Sequence, residues 1–253
     1  MFNKRFVLSG LFLFFMAGNV LAYRPLGTED AGVAGKGVAQ TEVSWDYLKW
    51  GNGEVKGENV FLLVPIYGLT DNLELSVEIP YLIHSLKVGS SEEGIGDVNL
   101  VAKYLLVKEG EKKPAFVVKG VVKMDNGDER KGLGSGDKDY SLFAVASKTL
   151  RDITLHGMFG YTWVGGKKDR NLRDITLYGI AVDYALTEPF HILAELNGNR
   201  HPDQTTEEDD PRNALAGITY KVSDKLTLDA AYRWGLSDSV PDWSTTMGAL
   251  ITY

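Results

Sequence analysis

Four histidines, His84, His156, His191 and His201, are the side chains best suited to metal or proton chemistry in this sequence. They fall on different strands or loops, and none has a histidine two or four positions away, so no metal-ligand spacing results. Cysteine is absent, which removes disulfides, thiolate metal sites and a cysteine nucleophile together. A Ser/His pair is the remaining nucleophilic option. His156 lies on a strand next to the one carrying Ser141 and Ser147, and barrel hydrolases place such a pair on the outer wall, but no acid or amide completes it. Gly132-Leu133-Gly134-Ser135-Gly136 misses the nucleophile-elbow spacing because Leu133 stands where the first glycine belongs. Gly35-Lys36-Gly37 lacks the preceding Gly and the following Ser/Thr of a P-loop. Both read as flexible loops or turns. The run Glu207-Glu208-Asp209-Asp210 is either a collector of divalent cations near a lipopolysaccharide surface or, more commonly for such runs, a solvated loop tip. No catalytic, cofactor or metal residue is assigned, and the expectation is a protein that is not an enzyme.

The charged residues that do recur in register follow a period of two. In Leu73-Glu74-Leu75-Ser76-Val77-Glu78-Ile79 every odd residue is apolar and every even one polar. That is the pattern of a β-strand with one apolar and one polar face. Leu226 to Trp234 repeats it, as does Phe116 to Lys123, with both lysines of the latter on one face. Helix-period stripes with caps are missing. The fold class is all-β.

The totals frame this pattern. The chain has 253 residues, of which 44% are hydrophobic and 24% charged, with a net charge of -7. Its mean hydropathy of -0.13 resembles that of a soluble protein. An acidic balance argues against a nucleic-acid partner. Residues 1–22 read as a secretory signal peptide: Lys4 and Arg5 precede the apolar stretch Phe6 to Ala17, and Val20-Leu21-Ala22 offers a cleavage site. No later segment approaches 18 consecutive apolar residues, so a helical membrane span is excluded beyond the signal. Residues 23–40 form a Gly-rich N-terminal segment that is either a periplasmic tail or an insert into the lumen, and 41–253 are one barrel domain.

Twelve strands are expected, at about 41–50, 58–67, 72–86, 96–107, 114–124, 138–149, 153–164, 174–185, 190–199, 212–222, 225–234 and 244–253. Ten tilted residues cross the ~25 Å apolar band of an outer membrane. The connections alternate short and long, as they do when one rim of an up-and-down barrel carries tight turns and the other carries loops. Three tight turns share an apolar, hydroxyl, acid, any, apolar order: Leu69 to Leu73, Leu186 to Phe190 and Val222 to Leu226. Leu150-Arg151-Asp152-Ile153 is a shortened relative, and the last three start 36 residues apart. Pro65 and Pro80 fall inside strands, where each removes a ladder donor. Either a bulge sits there or the boundaries of strands 2 and 3 are different.

Three features turn the apolar face outward to lipid. The opposite face carries Glu74, Glu78, Asp97, Lys103, Lys119, Lys123, Asp183, Glu195, Lys221, Asp229 and Arg233, the candidate lumen lining. Aromatics cluster near strand ends, Trp45, Trp50, Tyr67, Tyr81, Tyr104, Tyr161, Trp163, Tyr184, Tyr220, Tyr232, Trp234 and Tyr253 among them, as interfacial girdles do. The chain ends on small or apolar residues at alternate positions before Tyr253, which resembles the C-terminal signature read by the barrel-assembly machinery. The expected location is the bacterial outer membrane, with lipid and lipopolysaccharide as partners.

Thr28-Glu29-Asp30-Ala31, then Pro65-Ile66-Tyr67-Gly68-Leu69-Thr70-Asp71-Asn72-Leu73-Glu74-Leu75 running to Ile79-Pro80-Tyr81, then Gly94-Ile95-Gly96-Asp97 with Lys103-Tyr104, follow one another in an order that resembles a known family. It is the outer-membrane transporter family labelled with the MetA pathway of phenol degradation. The resemblance covers nearly the whole chain after the signal. It implies a barrel for uptake of small compounds, with aromatic or hydrophobic ones as candidates, and it brings no catalytic residues. The expectation is therefore a passive channel of unknown solute, selective through its lining charge and width. Two alternatives stay open: a structural or surface-binding barrel whose balanced charges cross-link the lumen shut, and a membrane-embedded hydrolase.

Overall fold

The computed structural model describes residues 24–51, 55–166 and 171–253; the signal peptide read at 1–22 lies outside the described residues. Thirteen strands follow one another: β1 (Ala39–Lys49), β2 (Val55–Gly68), β3 (Leu73–Leu86), β4 (Glu92–Ile95), β5 (Asn99–Val107), β6 (Ala115–Lys123), β7 (Asp139–Leu150), β8 (Ile153–Trp163), β9 (Ile175–Thr187), β10 (Phe190–Asn199), β11 (Arg212–Ser223), β12 (Leu226–Gly235) and β13 (Trp243–Thr252). All but β4 form one antiparallel ring, in which β1 pairs both with β2 and with β13, from Gln40↔Thr252 to Lys49↔Trp243. Closure of this kind leaves no edge whose N–H and C=O groups would face lipid unsatisfied. The sequence order of short turns and long loops places both ends of the ring, Ala39 and Thr252, on the tight-turn rim.

The turn chemistry explains that rim. Thr70 Oγ1 accepts hydrogen bonds from the backbone N–H groups of Asn72 (3.2 Å) and Leu73 (3.0 Å), and Ser223 Oγ accepts from Lys225 (3.3 Å). The hydroxyl of the repeated turn motif thus satisfies donors that the ladder leaves free. In the two-residue turn 151–152, Arg151 takes a positive φ of 59°.

Both strand prolines are accommodated, each differently. The β2–β3 ladder steps from Leu63↔Ile79 to Ile66↔Ser76, skipping Val64 and Pro65 without a change of register. Pro80 sits where β3 changes partners, between Glu78↔Asn99 in β5 and Tyr81↔Ile95 in β4. Two residues of β3 there face three of the other strand, Gly96, Asp97 and Val98, which makes β4 and β5 one strand interrupted by a bulge. The Pro80 carbonyl accepts from Gly96 N–H (2.9 Å), so the side of Pro80 that lacks a donor faces the bulge. The segment 87–95 expected as loop therefore holds a short strand, and the bulge has a further effect: it turns the Asp97 side chain inward, where it is 7% exposed.

Outward positions are apolar around the ring, among them Phe61, Leu75, Leu100, Leu142, Phe159, Ile192 and Met247, all exposed. In β9 the alternation is complete: Tyr178, Ile180, Val182 and Tyr184 are exposed, while Leu177, Ala181 and Asp183 are buried. Exposed apolar area on this scale suits a hydrocarbon solvent and not water. Tyr47, Tyr232 and Trp243 form a ring cluster near the long-loop rim, with centroid separations of 5.5 and 5.7 Å. Trp50 departs from the girdle expectation. It is buried in an interior apolar cluster with Leu48, Val60 and Leu82, because it follows the end of β1 where the chain turns in.

Ile180 is 63% exposed in the middle of β9. Ile180→Arg is expected to cost about 2–4 kcal/mol in bilayer unfolding measurements, as for a cation at the midplane of a barrel wall. A neutral result would mean that this face does not meet lipid.

Candidate functional site

Most of the eleven residues expected on the polar face do point into the ring. Glu78, Asp97, Lys103, Lys119, Lys123, Asp183, Glu195 and Asp229 are all less than a tenth exposed, and Glu74 and Arg233 are partly buried. Lys221 is a correction. It has the inward parity of β11 but lies beyond the interior at the tight-turn rim, exposed and paired with Asp224 at 2.7 Å. The interior is also less polar than the sequence suggested. Val101, Val117, Val121, Phe143, Val145, Met158 and Leu177 are buried and packed together on the β5–β9 side, with the lysines interleaved at alternate positions. Inward apolar residues need a dry neighbour, and the chain supplies it from within.

That neighbour is the segment 24–38, which enters the barrel from the tight-turn rim and follows its inner wall as a strap. Arg24 pairs with Asp229 of β12 at 3.2 Å and donates to Thr246 Oγ1 of β13 at 2.7 Å. Leu26 is 2% exposed among Ala181, Leu193, Leu215 and Ala231. Thr28 N–H donates to the Glu195 carboxylate of β10 at 2.8 Å, and Gly27 N–H donates to the same oxygen. Glu29 bridges Lys103 (3.0 Å) and Lys119 (2.6 Å), while Asp30 also reaches Lys103 at 3.5 Å. Ala31 N–H donates to Ser147 Oγ (2.9 Å) and Ala34 N–H to Glu74 (2.6 Å). Lys119 stands 3.6 Å from Glu78, which accepts from Asn99 at 2.7 Å. Thus five of the eleven expected residues, Glu74, Lys103, Lys119, Glu195 and Asp229, are partners of the strap. Buried charges of this kind persist because they are paired and hydrogen-bonded.

Two glycines allow the strap to leave the wall. Gly37 has φ +78°, and a Cβ on Gly68 would lie 2.0 Å from the Gly35 carbonyl oxygen. Gly37 N–H donates to Gly68 O (2.8 Å), and Gly68 N–H donates to Val38 O (2.9 Å), which fixes the reversal into β1. The Gly35-Lys36-Gly37 segment is therefore a turn, and the lumen-entering option for residues 23–40 is the one that residues 24–38 adopt.

From the opposite rim the loop 124–138 also folds inward. The bulge residue Asp97 accepts from the backbone N–H groups of Gly127 (2.9 Å) and Ser135 (2.8 Å) and pairs with Lys123 at 3.2 Å. Lys123 in turn pairs with Asp139 at 3.2 Å and donates to the Asp137 carbonyl at 2.7 Å. Leu133, inside the glycine-rich stretch, is 4% exposed in the cluster of Leu48, Val55 and Leu82. The stretch is thus a pinned turn, not a flexible loop.

Between the strap and the tight-turn rim lies a cavity of about 480 Å³. Its walls include Glu42, Glu74, Glu78, Lys103, Lys119 and His156. Glu42 escaped the sequence reading, and Glu29 entered it only as part of the family motif. Polar alternation opposite Val43, Trp45 and Tyr47 was the signal available for Glu42. Of the two serines weighed beside His156, Ser147 meets it, Oγ to Nδ1 at 2.8 Å, but the pair faces the lumen and not the outer wall. Ser141 instead meets Thr162 at 2.8 Å. Among the described residues His156 Nε2 has no hydrogen-bond partner, so the arrangement lacks the third member of a triad there. The other histidines sit apart: His84 is 3.6 Å from Glu58, His191 is 2.7 Å from Asp183, and His201 is 3.6 Å from Glu208. Among the described residues no group of three or more potential ligands surrounds a metal position. Glu207 to Asp210 are exposed, as a solvated loop tip is.

Residues 22–253 match the family described as "Putative MetA-pathway of phenol degradation". The chain belongs to this family. No curated protein matches it. Among solved structures, the COG4313 outer membrane channel from Pseudomonas putida F1 is similar at 15% identity and TM-score 0.70, over 88% of this chain and 98% of that one. The NanC porin aligns with TM-score 0.59 and 10% identity over 84% and 98% of the two chains. The CymD monoaromatic hydrocarbon channel aligns with TM-score 0.50 and 8% identity over 86% and 89%. At these identities the likeness is one of fold, an outer-membrane-type barrel. Within this MetA-pathway family member, the motif Thr28-Glu29-Asp30-Ala31 now has a physical role, since it carries the strap's central ion pairs.

Glu29→Gln leaves Lys103 and Lys119 without their shared carboxylate. Breaking a buried pair costs about 3–5 kcal/mol, and release of the strap caps the loss. A lowered unfolding midpoint, or protease cleavage within 24–38, is the expected result. No change in either would refute the ion-pair anchoring.

Proposed function

We propose that this chain is an outer-membrane channel for passive uptake of small solutes, held here in a closed form by its strap and its inward loop. The observation that carries the reading is the way the lumen is blocked. The ring itself is complete, and what fills it at mid-height is a single segment attached by side-chain pairs and a few backbone donors, with an open cavity of about 480 Å³ beside it. A barrel evolved as an inert wall would be filled by side chains of the wall itself. The apolar exterior and the export signal read at residues 1–22 support an outer-membrane location, with the tight turns on the periplasmic side.

The MetA-pathway family and the fold shared with an outer membrane channel, a porin and a monoaromatic hydrocarbon channel support uptake of small, aromatic or hydrophobic compounds. The interior lining would set selectivity through charge and width. Insertion of the chain is taken to use the assembly machinery through the strand ending at Tyr253, with lipopolysaccharide around the long-loop rim. The reading of a structural barrel without transport draws on one observation, the cross-linked interior in which Glu29, Lys103 and Lys119 form a buried triad.

The two readings separate in planar bilayers and in liposome swelling. The intact mature chain is expected to conduct weakly or intermittently, and deletion of residues 24–33 to raise conductance several-fold. No conductance and no solute entry from either form would sink the channel reading.

A further inference from the structure

The cavity beside the strap is chemically lopsided. Three carboxylates, Glu42 of β1 and Glu74 and Glu78 of β3, line one wall, and Glu29 and Asp30 of the strap form its ceiling. Lys103 and Lys119 are the lysines in that lining; Glu29 engages both, Asp30 also reaches Lys103, and Glu78 stands 3.6 Å from Lys119. Across the cavity Asp183 is taken by His191, and at the rim Glu109 is hydrogen-bonded by Lys148, which holds its carboxyl below the usual range. Acid groups therefore exceed the cations available to them. Glu42 shows the excess most plainly: it is half-buried in the cavity lining, and among the described residues no hydrogen bond or ion pair engages it.

A second feature is independent of that charge. His156 is 8% exposed and lines the same cavity, with Nδ1 held by Ser147 Oγ and Nε2 without a partner among the described residues. Ser147 Oγ already accepts from Ala31 N–H, so the ring is held from behind, and Nε2, buried without a partner among the described residues, becomes available to a guest through a small shift of the lining around it. A buried polar atom without a partner costs free energy that a guest can recover. Because Ser147 can donate to Nδ1 or accept from it, Nε2 can be a donor or an acceptor, and a guest hydroxyl serves in either case. The lining also has an aliphatic patch: Val64 and Leu250 are the cross-strand neighbours of Glu42, and Ile66 and Val101 lie near them on β2 and β5.

We infer that the cavity is a binding site for a small organic cation: a protonated amine set against Glu42 and Glu74, an apolar body over the aliphatic patch, and a hydroxyl-type group on His156 Nε2. The inference deepens the channel reading, for it names the solute class of that same lumen, and it rests on that reading for its transport consequence. Binding itself does not depend on conduction. An ammonium group supplies the counter-charge the acid wall lacks, whereas a carboxylate of equal size meets five acids and two occupied lysines.

The test uses the mature, refolded chain in detergent micelles, whose native state is checked by heat-modifiable gel mobility. Calorimetric titration compares three probes of matched shape: tyramine, 4-ethylphenol and 3-(4-hydroxyphenyl)propionate. The expected order is tyramine first, with the neutral probe about tenfold weaker and the anion weaker still, as for loss of one charge-assisted contact. Glu42→Gln should weaken tyramine about tenfold and leave 4-ethylphenol unchanged, and His156→Leu should weaken both. Equal affinity for all three probes, preference for the anion, or no binding by any of them overturns the inference, and these outcomes need no variant. Liposome flux of the same probes separates the two levels. Tyramine binding without any flux retains the site and removes the channel, and flux without a cation preference in binding does the reverse.

Discussion

The closing pair β1–β13 is the constraint on which the rest of this structure depends. A sheet immersed in hydrocarbon cannot leave a row of N–H and C=O groups unpaired, because no water reaches them. Ten consecutive residue pairs between the first and last strands of the ring remove that cost, and they oblige the wall to curve into a cylinder with an inside. Once the outside is apolar, the inside inherits the alternate residues, whatever their polarity. The inherited set here is mixed: a valine-rich patch on the β5–β9 side, and charged side chains distributed among β3, β5, β6, β10 and β12. Neither water alone nor apolar packing alone satisfies such a surface. The strap does so by offering a carboxylate to the lysines, N–H groups to Glu74 and Glu195, a guanidinium to Asp229, and Leu26 to the apolar residues between them.

Much of the wall was legible in the sequence, because a period of two is a direct image of a two-faced strand. The register of β3, β6, β9 and β12 follows from alternation alone, and the hydroxyl-acid turns mark the tight rim. The bulge at Gly96 to Val98 was foreshadowed by Pro80, whose missing donor requires a break in the neighbouring ladder. What alternation cannot show is the third dimension inside the ring. Lys119 and Glu29 are 90 positions apart and Arg24 and Asp229 are 205 apart, so no local pattern connects them. Thr28-Glu29-Asp30-Ala31 was recognisable as a family motif without its partners being readable. Lys221 shows the complementary failure: correct parity does not fix height, and one turn nearer the rim the same inward position faces solvent.

The two rims are closed by different physics. On the long-loop side a bulge aims one carboxylate, Asp97, at two loop N–H groups and at Lys123, and Leu133 fills an apolar recess behind it. On the tight-turn side the strap spans the ring and leaves a cavity whose carboxylates outnumber their partners. The loop end is closed around one buried lysine, Lys123, and its two carboxylates, while the strap end borders an acid-lined cavity, which makes the second closure the more exposed to charged solutes.

The strap also bears on how the molecule is assembled. Arg24 is held by Asp229 and Thr246, which belong to the last two strands, while Glu29 is held by strands near the start of the ring. Its anchors on β12 and β13 do not exist until the end of the chain has been threaded into the wall. A half-built barrel therefore has nowhere to seat these residues. Their burial is a chemical signature of a finished cylinder, and the earliest segment of the described chain has its full set of contacts only in a closed ring.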